Sequence, residues 1–154
     1  MTQRADIVLG PGRYGLARLR VGDRIQTGDC LVITAMIDAF ADLTGDRFAI
    51  HMDTEAARDM GFRDRVAHGL LVLSLVDGLK NQTPAQFDAV ASLGWDWTFS
   101  APVFAGDTIR AVITVEALRP TSNPARGVVN LAFEVTNQHG ETVQKGTNTL
   151  MIKA

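Results

Sequence analysis

Cysteine is nearly absent from this chain: Cys30 is the single one among 154 residues. A lone thiol excludes an intrachain disulfide, and no cysteine pairs with a histidine at the spacing of a zinc finger. Chains without disulfides are typical of reducing compartments. We therefore expect a cytoplasmic protein that holds no metal.

The chain also lacks a large excess of either charge, because 15 Lys and Arg residues nearly balance 17 Asp and Glu residues and the formal net charge is -2. So weak a field cannot hold a polyphosphate backbone by bulk electrostatics, which argues against a nucleic-acid partner. Residues 1–20 contain no uncharged apolar core of the signal-peptide type. The most apolar run, residues 70–76, is far shorter than the roughly 20 residues of a membrane span. We expect no membrane partner.

The first half of the sequence has the pattern of helices. Thr34 is predicted to cap a helix that starts at the next residue, carries its apolar residues on one stripe and ends at Gly45. A short helix is expected from residue 53 or 54 to Gly61. Residues 68–80 are apolar on every face for two turns, which predicts a central helix surrounded by protein.

From Trp95 onward the apolar period changes to two, which is the period of a half-buried strand. Residues 108–117 and 129–136 alternate in this way. A turn at residues 137–140 returns the chain into a further strand over residues 141–152. The second half therefore predicts an antiparallel sheet, with the apolar helix lying against its concave face.

A carboxylate and an imidazole lie close together in the loop after the first helix. Asp46 and His51 are five positions apart, so both side chains can converge on one water molecule. At the start of the central helix, the free N–H of Gly69 can polarise a carbonyl oxygen. Ser74 needs a hydrogen-bond partner, either a catalytic carboxylate or the carbonyl one turn back. From the residues alone, Asp46 also fits a turn and Gly69 also fits tight packing against the sheet.

The same segments resemble the signature of the MaoC-like dehydratases, a family that includes (R)-specific enoyl-CoA hydratases. That signature is a G-D-x-N-P-x-H-x-D loop and an H-G pair that opens the central helix of a hot-dog fold. Here the loop is residues 45–53 and the pair is residues 68–69. Residues 101–109 and 137–143 resemble the family's P-V-x-x-G-D-T-L and N-Q-x-G-x-x-V segments, so the resemblance covers about residues 20–152.

The resemblance implies an α+β fold, in which an antiparallel β-sheet wraps around a long central apolar helix. It further implies a single hot-dog domain over residues 1–154. Residues 1–20 would be an N-terminal extension whose order the sequence leaves open.

The reaction implied by the resemblance is the reversible syn hydration of a trans-2-enoyl-CoA to a (3R)-hydroxyacyl-CoA. Asp46 and His51 would form the catalytic dyad. The Gly69 amide would stabilise the charge on the thioester oxygen, and Ser74 would help to position the dyad. No cofactor is implied, and the partner is the acyl-CoA substrate. At least a homodimer is also implied, because pairs of such domains commonly join their sheets.

One departure from the family pattern lies between the two dyad positions, where Phe48-Ala49 replaces the usual Asn-Pro. The rigid φ angle of proline is lost there, and Phe48 is expected either to form part of the acyl pocket or to plug it. Arg63 and Arg65 are predicted to meet the phosphates of coenzyme A, and His68 is also predicted to bind substrate. Two alternatives stay open: an acyl-CoA thioesterase of the same fold, and a catalytically silent acyl-CoA-binding module.

Overall fold

The computed structural model describes residues 7–154, and this part of the chain contains four α-helices and eight strands. The helices are α1 (Thr34–Thr44), α2 (Ala49–Met52), α3 (Thr54–Asp59) and α4 (Gly69–Lys80). The strands are β1 (Gly12–Tyr14), β2 (Arg24–Gln26), β3 (Cys30–Leu31), β4 (Ala85–Phe87), β5 (Ala89–Phe99), β6 (Thr108–Pro120), β7 (Arg126–Thr136) and β8 (Thr142–Lys153). Of the predicted N-terminal extension, residues 1–6 lie outside the described residues, whereas residues 7–20 include β1 and a short 3₁₀ turn.

Six strands form one antiparallel sheet in the order β2-β6-β7-β8-β5, with β3 paired to another stretch of β6. β1 and β4 form a separate parallel pair. The predicted alternation is confirmed in β6, where Ala111 and Ile113 are buried and Arg110 is exposed. The predicted turn between β7 and β8 is closed by a hydrogen bond from the Gly140 N–H to the Asn137 carbonyl.

The central helix α4 begins at Gly69, one residue after the start of the predicted segment. Val72 and Val76 are fully buried in the same core as Ile113 and Leu150 of the sheet. Burying a side chain of this size contributes about 1.5–3 kcal/mol, so packing rather than helix propensity holds α4 in place. The predicted α+β layout, a sheet around one central helix, is therefore confirmed.

One expectation about α4 is wrong, because the helix is not surrounded by protein on every side. The Leu70 side chain is 59% exposed, and Ser74, one turn further along the same face, is exposed as well. A single sheet covers only the face of the helix that lies against it. No helix within residues 7–154 has the length and apolar character needed to cross a membrane.

The ends of the shorter helices are set by single residues. Gly45 ends α1 with a left-handed φ of 76°, as predicted. The predicted Thr34 cap is wrong: Ile33 occupies the capping position, no side chain caps the helix, and Thr34 is already helical. Asp53 caps α3 by accepting hydrogen bonds from the N–H groups of two following residues. The sequence analysis missed α2, because four residues are too few to show a helical period.

Candidate active site

A cleft of about 490 Å³ lies where the start of α4 meets the end of β5. Its lining includes apolar residues from four segments, among them Ile50, Phe62, Val72 and Phe99. The polar side chains that line it are Asp46, His51, His68, Ser100 and Gln144. An apolar cleft with a few convergent polar groups is the usual form of a small-molecule site.

The loop between α1 and α2 brings Asp46 to this cleft. The Thr44 hydroxyl accepts the Asp46 N–H at 3.1 Å. The Asp46 carboxylate accepts the Phe48 N–H at 3.2 Å and remains exposed. The left-handed Gly45 directly before Asp46 turns the chain out of α1 into this loop.

His51 lies in α2 and is 9% exposed. Its Nδ1 is 2.7 Å from the carbonyl oxygen of Val66. Because a carbonyl oxygen only accepts, Nδ1 carries a proton, and in the neutral ring Nε2 then keeps its lone pair. Polar side-chain atoms of Asp46, His51 and His68 all lie within 4.8 Å of one another. The structure therefore brings the two predicted dyad residues together and adds a second imidazole.

His68 is buried beneath the dyad, with 1% of its surface exposed. Its ring stacks on that of His51, with centroids 4.0 Å apart and planes 27° apart. Its Nε2 is 2.9 Å from the backbone carbonyl oxygen of Asp46. This burial leaves little surface for the substrate contact that the sequence predicts for His68.

Asp46, His51 and His68 carry atom types that bind metals, so a shared metal has to be considered. An imidazole binds a metal through the lone pair in its ring plane, at about 2.0–2.1 Å for zinc. The planes of two stacked rings that are 4.0 Å apart and inclined by 27° do not meet that close to both rings, so one metal cannot lie in the plane of both at such a distance. The arrangement fits two hydrogen-bonding imidazoles better than a pair of metal ligands.

Gly69 is the first residue of α4, and its N–H belongs to the turn that has no acceptor within the helix. A Cβ atom at this position would lie 2.3 Å from the ring of Phe99, far inside van der Waals contact. The glycine therefore allows the helix start to approach Phe99 closely while its backbone lines the cleft. Both sequence interpretations of Gly69, packing and an open amide, are compatible with this geometry.

The sequence analysis missed Gln144 of β8. This side chain is 2% exposed, yet its Nε2 donates to the Gly69 carbonyl at 3.0 Å and its Oε1 accepts from Trp97 Nε1 at 2.8 Å. Its position in the strand could have indicated it. Gln144 is an even number of residues from the buried Leu150 and Ile152, so all three side chains lie on the same face of β8. A polar amide on an apolar strand face needs partners, because leaving it unpaired costs about 1–3 kcal/mol.

Residues 19–137 match the family model described as the MaoC like domain, which is more than half of the chain. The chain belongs to the MaoC-like family. This confirms the resemblance seen in its sequence, and the fold is the hot-dog fold.

Named relatives of this MaoC-like chain are hydratases and dehydratases. It is 31% identical over 124 residues to the mitochondrial 3-hydroxyacyl-[acyl-carrier-protein] dehydratase of Arabidopsis thaliana, covering 77% of this chain and 72% of that protein. It is 36% identical over 85 residues to the (R)-specific enoyl-CoA hydratase of Aeromonas caviae, covering 55% of this chain and 63% of that protein. The solved MaoC-like dehydratase from Rhodospirillum rubrum superposes with a TM-score of 0.82 at 28% identity, over 91% of this chain and 97% of that one. In several longer relatives the chain spans less than half of the full length.

Ser74 and Phe48 of the MaoC-like chain lie apart from the cleft lining. The Ser74 hydroxyl donates to the Leu70 carbonyl one turn back, at 2.7 Å, which is the second of the two partners considered from the sequence. The Phe48 ring is 60% exposed and meets His51 edge-on, with centroids 6.1 Å apart. The roles predicted for these two residues stay predictions.

Arg63 and Arg65 both have partners within the chain. Arg63 lies over the Phe104 ring at 4.1 Å and pairs with the buried carboxylate of Asp107 at 3.3 Å. Arg65 pairs with Asp38 and donates from Nε to the His51 carbonyl, so it braces the backbone of α2. Their predicted contact with coenzyme A phosphates stays a prediction.

Asp64 lies between these two arginines and braces the same loop. The pKa of its carboxyl lies below the usual value, first because it accepts the Arg65 N–H and then because it accepts the Thr54 hydroxyl. These bonds join the loop to the start of α3, and the loop in turn supplies the Val66 carbonyl that holds His51.

Proposed function

We propose that this protein catalyses the reversible syn hydration of a trans-2-enoyl-CoA to a (3R)-hydroxyacyl-CoA. The observation that carries the proposal is the meeting of Asp46, His51 and the Gly69 backbone at one cleft. A carboxylate beside an imidazole suits proton transfer, and a free helix N–H suits the charge that develops on a thioester oxygen. The apolar remainder of the cleft suits an acyl chain.

Each step of the proposed addition uses one of these groups. A water molecule between the Asp46 carboxylate and the His51 Nε2 finds two acceptors, which orient its oxygen toward the β-carbon. As the new C–O bond forms, Asp46 takes a proton from the water and the electron pair of the double bond moves toward the thioester oxygen. The Gly69 N–H stabilises that charge. The proton then passes from Asp46 to the α-carbon on the same face, so that one H₂O is added in total.

The carrier of the acyl group is proposed to be coenzyme A. The Aeromonas relative is named for a CoA thioester, whereas the Arabidopsis relative is named for a thioester of the acyl carrier protein. The assay therefore includes both carriers with the same acyl chains.

A second copy of the chain is proposed to complete the cleft. Strand β5 is an edge of the sheet and pairs only with β8 among the described strands. Its Leu93 and Phe99 are 50% and 55% exposed, and the α4 residue Leu70 is 59% exposed. Unpaired edges with apolar side chains favour association. Light scattering should give at least twice the 16.6 kDa chain mass, and a monodisperse monomer would contradict this.

The deciding experiment measures the loss of enoyl-thioester absorbance over a range of acyl chain lengths, together with free thiol release and the configuration of the product. The wild type is compared with Asp46→Asn and His51→Gln, which keep the approximate size of each side chain. Either change should lower kcat by at least about 10²-fold, the usual contribution of a positioned acid or base. His139→Gln is the matched control, because His139 lies in the exposed turn between β7 and β8 and should leave turnover unchanged.

Each alternative has its own signature in this assay. Release of free thiol without hydration would identify a thioesterase. Tight binding of enoyl thioesters by folded wild type, with no turnover on either carrier, would identify a silent binding module. Full activity in both Asp46→Asn and His51→Gln would show that the dyad is assigned wrongly.

A further inference from the structure

Within residues 7–154, His68 has contacts that reach both halves of the candidate site, the dyad and the start of α4. Its side chain contacts Asp46 and His51, while its backbone caps α4 immediately before Gly69. Its carbonyl also accepts the Val72 N–H, which closes the first turn of the helix. We propose that His68 is a positioning residue that holds the dyad in a fixed relation to the Gly69 amide. This role rests on the proposed hydration.

The first contact restrains the backbone of Asp46. Since a carbonyl oxygen only accepts, His68 Nε2 carries the proton and donates to the Asp46 carbonyl at 2.9 Å. The Asp46 N–H is held by the Thr44 hydroxyl at 3.1 Å. Both backbone groups of Asp46 therefore bond to side chains. This restraint lies in the loop that lacks the family's proline, where His68 supplies rigidity that Phe48-Ala49 does not.

The second contact fixes the ring of His51. His68 packs against Phe40 at 4.9 Å between ring centroids and stacks on His51 at 4.0 Å. The Val66 carbonyl holds His51 Nδ1, so the stack and this hydrogen bond together set the direction of its Nε2. In the proposed reaction His51 orients the attacking water, which requires its Nε2 to lie within hydrogen-bond reach of that water, so this direction matters for turnover.

The two rings are expected in opposite tautomers, with the proton on Nδ1 in His51 and on Nε2 in His68. His68 Nδ1 is buried without a hydrogen-bond partner among the described residues, so the assignment for this ring rests on the bond of Nε2 to the Asp46 carbonyl. The chain has only 3 histidines, so ¹⁵N spectra of the imidazoles are simple to assign, with His139→Gln removing the exposed one.

Two substitutions separate the contacts of His68. His68→Gln retains an amide N–H able to reach the Asp46 carbonyl but loses the ring, whereas His68→Phe retains an aromatic ring against His51 but loses the donor. We expect His68→Phe to lower kcat by about 10²-fold, the effect of a misplacement near 1 Å, with KM changed less than about twofold. His68→Gln should recover part of that loss, because it restores the donor to Asp46 but not the stack on His51. His139→Gln should match the wild type.

The outcomes distinguish this role from the proposed function. Wild type that turns over no enoyl thioester would overturn the proposed function and this role with it. Active wild type with unchanged kcat in His68→Phe would overturn the role of His68 alone, as would a rise in KM without a fall in kcat. The tautomers are read from resting wild type, so they test the proposal even if both variants fail to fold. A proton on Nδ1 of His68 together with an unprotonated Nε2 in that spectrum would exclude the donated bond to Asp46.

Discussion

Replacing Gly69 by alanine is expected to separate activity from stability. The new Cβ would lie 2.3 Å from Cε2 of Phe99 and 2.5 Å from two further ring atoms. The ring must therefore move by about 1 Å, and overpacking of this kind costs about 1–3 kcal/mol. Phe99 is 55% exposed and can swing outward, which places the cost at the low end. Alanine also favours the helix by up to about 1 kcal/mol.

The net loss of stability should therefore be no more than about 1 kcal/mol, a shift of roughly 2–4 °C in Tm for a chain of this size. The loss of activity should be much larger, because the methyl group and the displaced ring lie beside the amide that the thioester oxygen must reach. Alanine retains the amide N–H, but if the oxygen cannot reach it the effect approaches that of removing such a donor, which lowers kcat by about 10²–10³-fold. Thermal unfolding and enoyl-CoA hydration, measured on the same preparation, test both numbers.

Gly78 provides the matched control within the same helix. A Cβ there would meet only the Gln82 amide, at 3.9 Å, which is an ordinary contact. Gly78→Ala should therefore leave kcat unchanged and stabilise the protein by up to about 1 kcal/mol. Because alanine keeps the backbone N–H, this variant tests obstruction of the amide: wild-type kcat in Gly69→Ala would refute the reasoning that the methyl group and the displaced ring block it. Full recovery of activity on adding Phe99→Ala would assign the obstruction to the ring rather than to the methyl group.

Three further predictions concern residues around the site. Gln144→Leu should lower kcat, and it should lower the free energy of unfolding in urea by about 1–3 kcal/mol because it leaves the Trp97 N–H without its acceptor. Asn148→Leu is its control: it removes another buried amide from β8, so it should also destabilise the protein but leave kcat unchanged. Burial raises the pKa of the Cys30 thiol, so its alkylation rate should level off at a higher pH than that of a free cysteine, and a lower pH would contradict this. Folding lowers the pKa of Asp64, so its carboxylate stabilises the folded state above the pKa of an unfolded Asp, and this stabilisation is lost as the pH falls through the folded-state pKa. In Asp64→Asn the free energy of unfolding, measured with urea, should therefore fall less over that pH range. The same pH dependence as in the wild type would contradict this role of Asp64.

The elements that could be predicted are those whose signal lies within a few neighbouring residues. Gly45 ends α1 because a left-handed residue suits glycine, and the apolar run after residue 68 is long enough to indicate a helix. The apolar alternation predicts a strand only from Trp95, whereas β5 begins at Ala89. The first half of this strand is exposed and has no alternation that could indicate it. The parallel pairing of β1 with β4 has no local signal, since its partners are more than 70 residues apart.

The sequence by itself determined the layout of an antiparallel sheet against one apolar helix and the approach of Asp46 to His51, because helix ends, strand period and loop spacing are local properties of the chain. The tertiary structure decided what surrounds that pair. Gln144 bonds to Gly69 across 75 positions, and His68 bonds to Asp46 across 22. Arg63 and Arg65, which the sequence predicts to meet coenzyme A phosphates, are paired with Asp107 and Asp38. Such contacts depend on which side chains packing brings together in space, and no spacing along the chain encodes that choice.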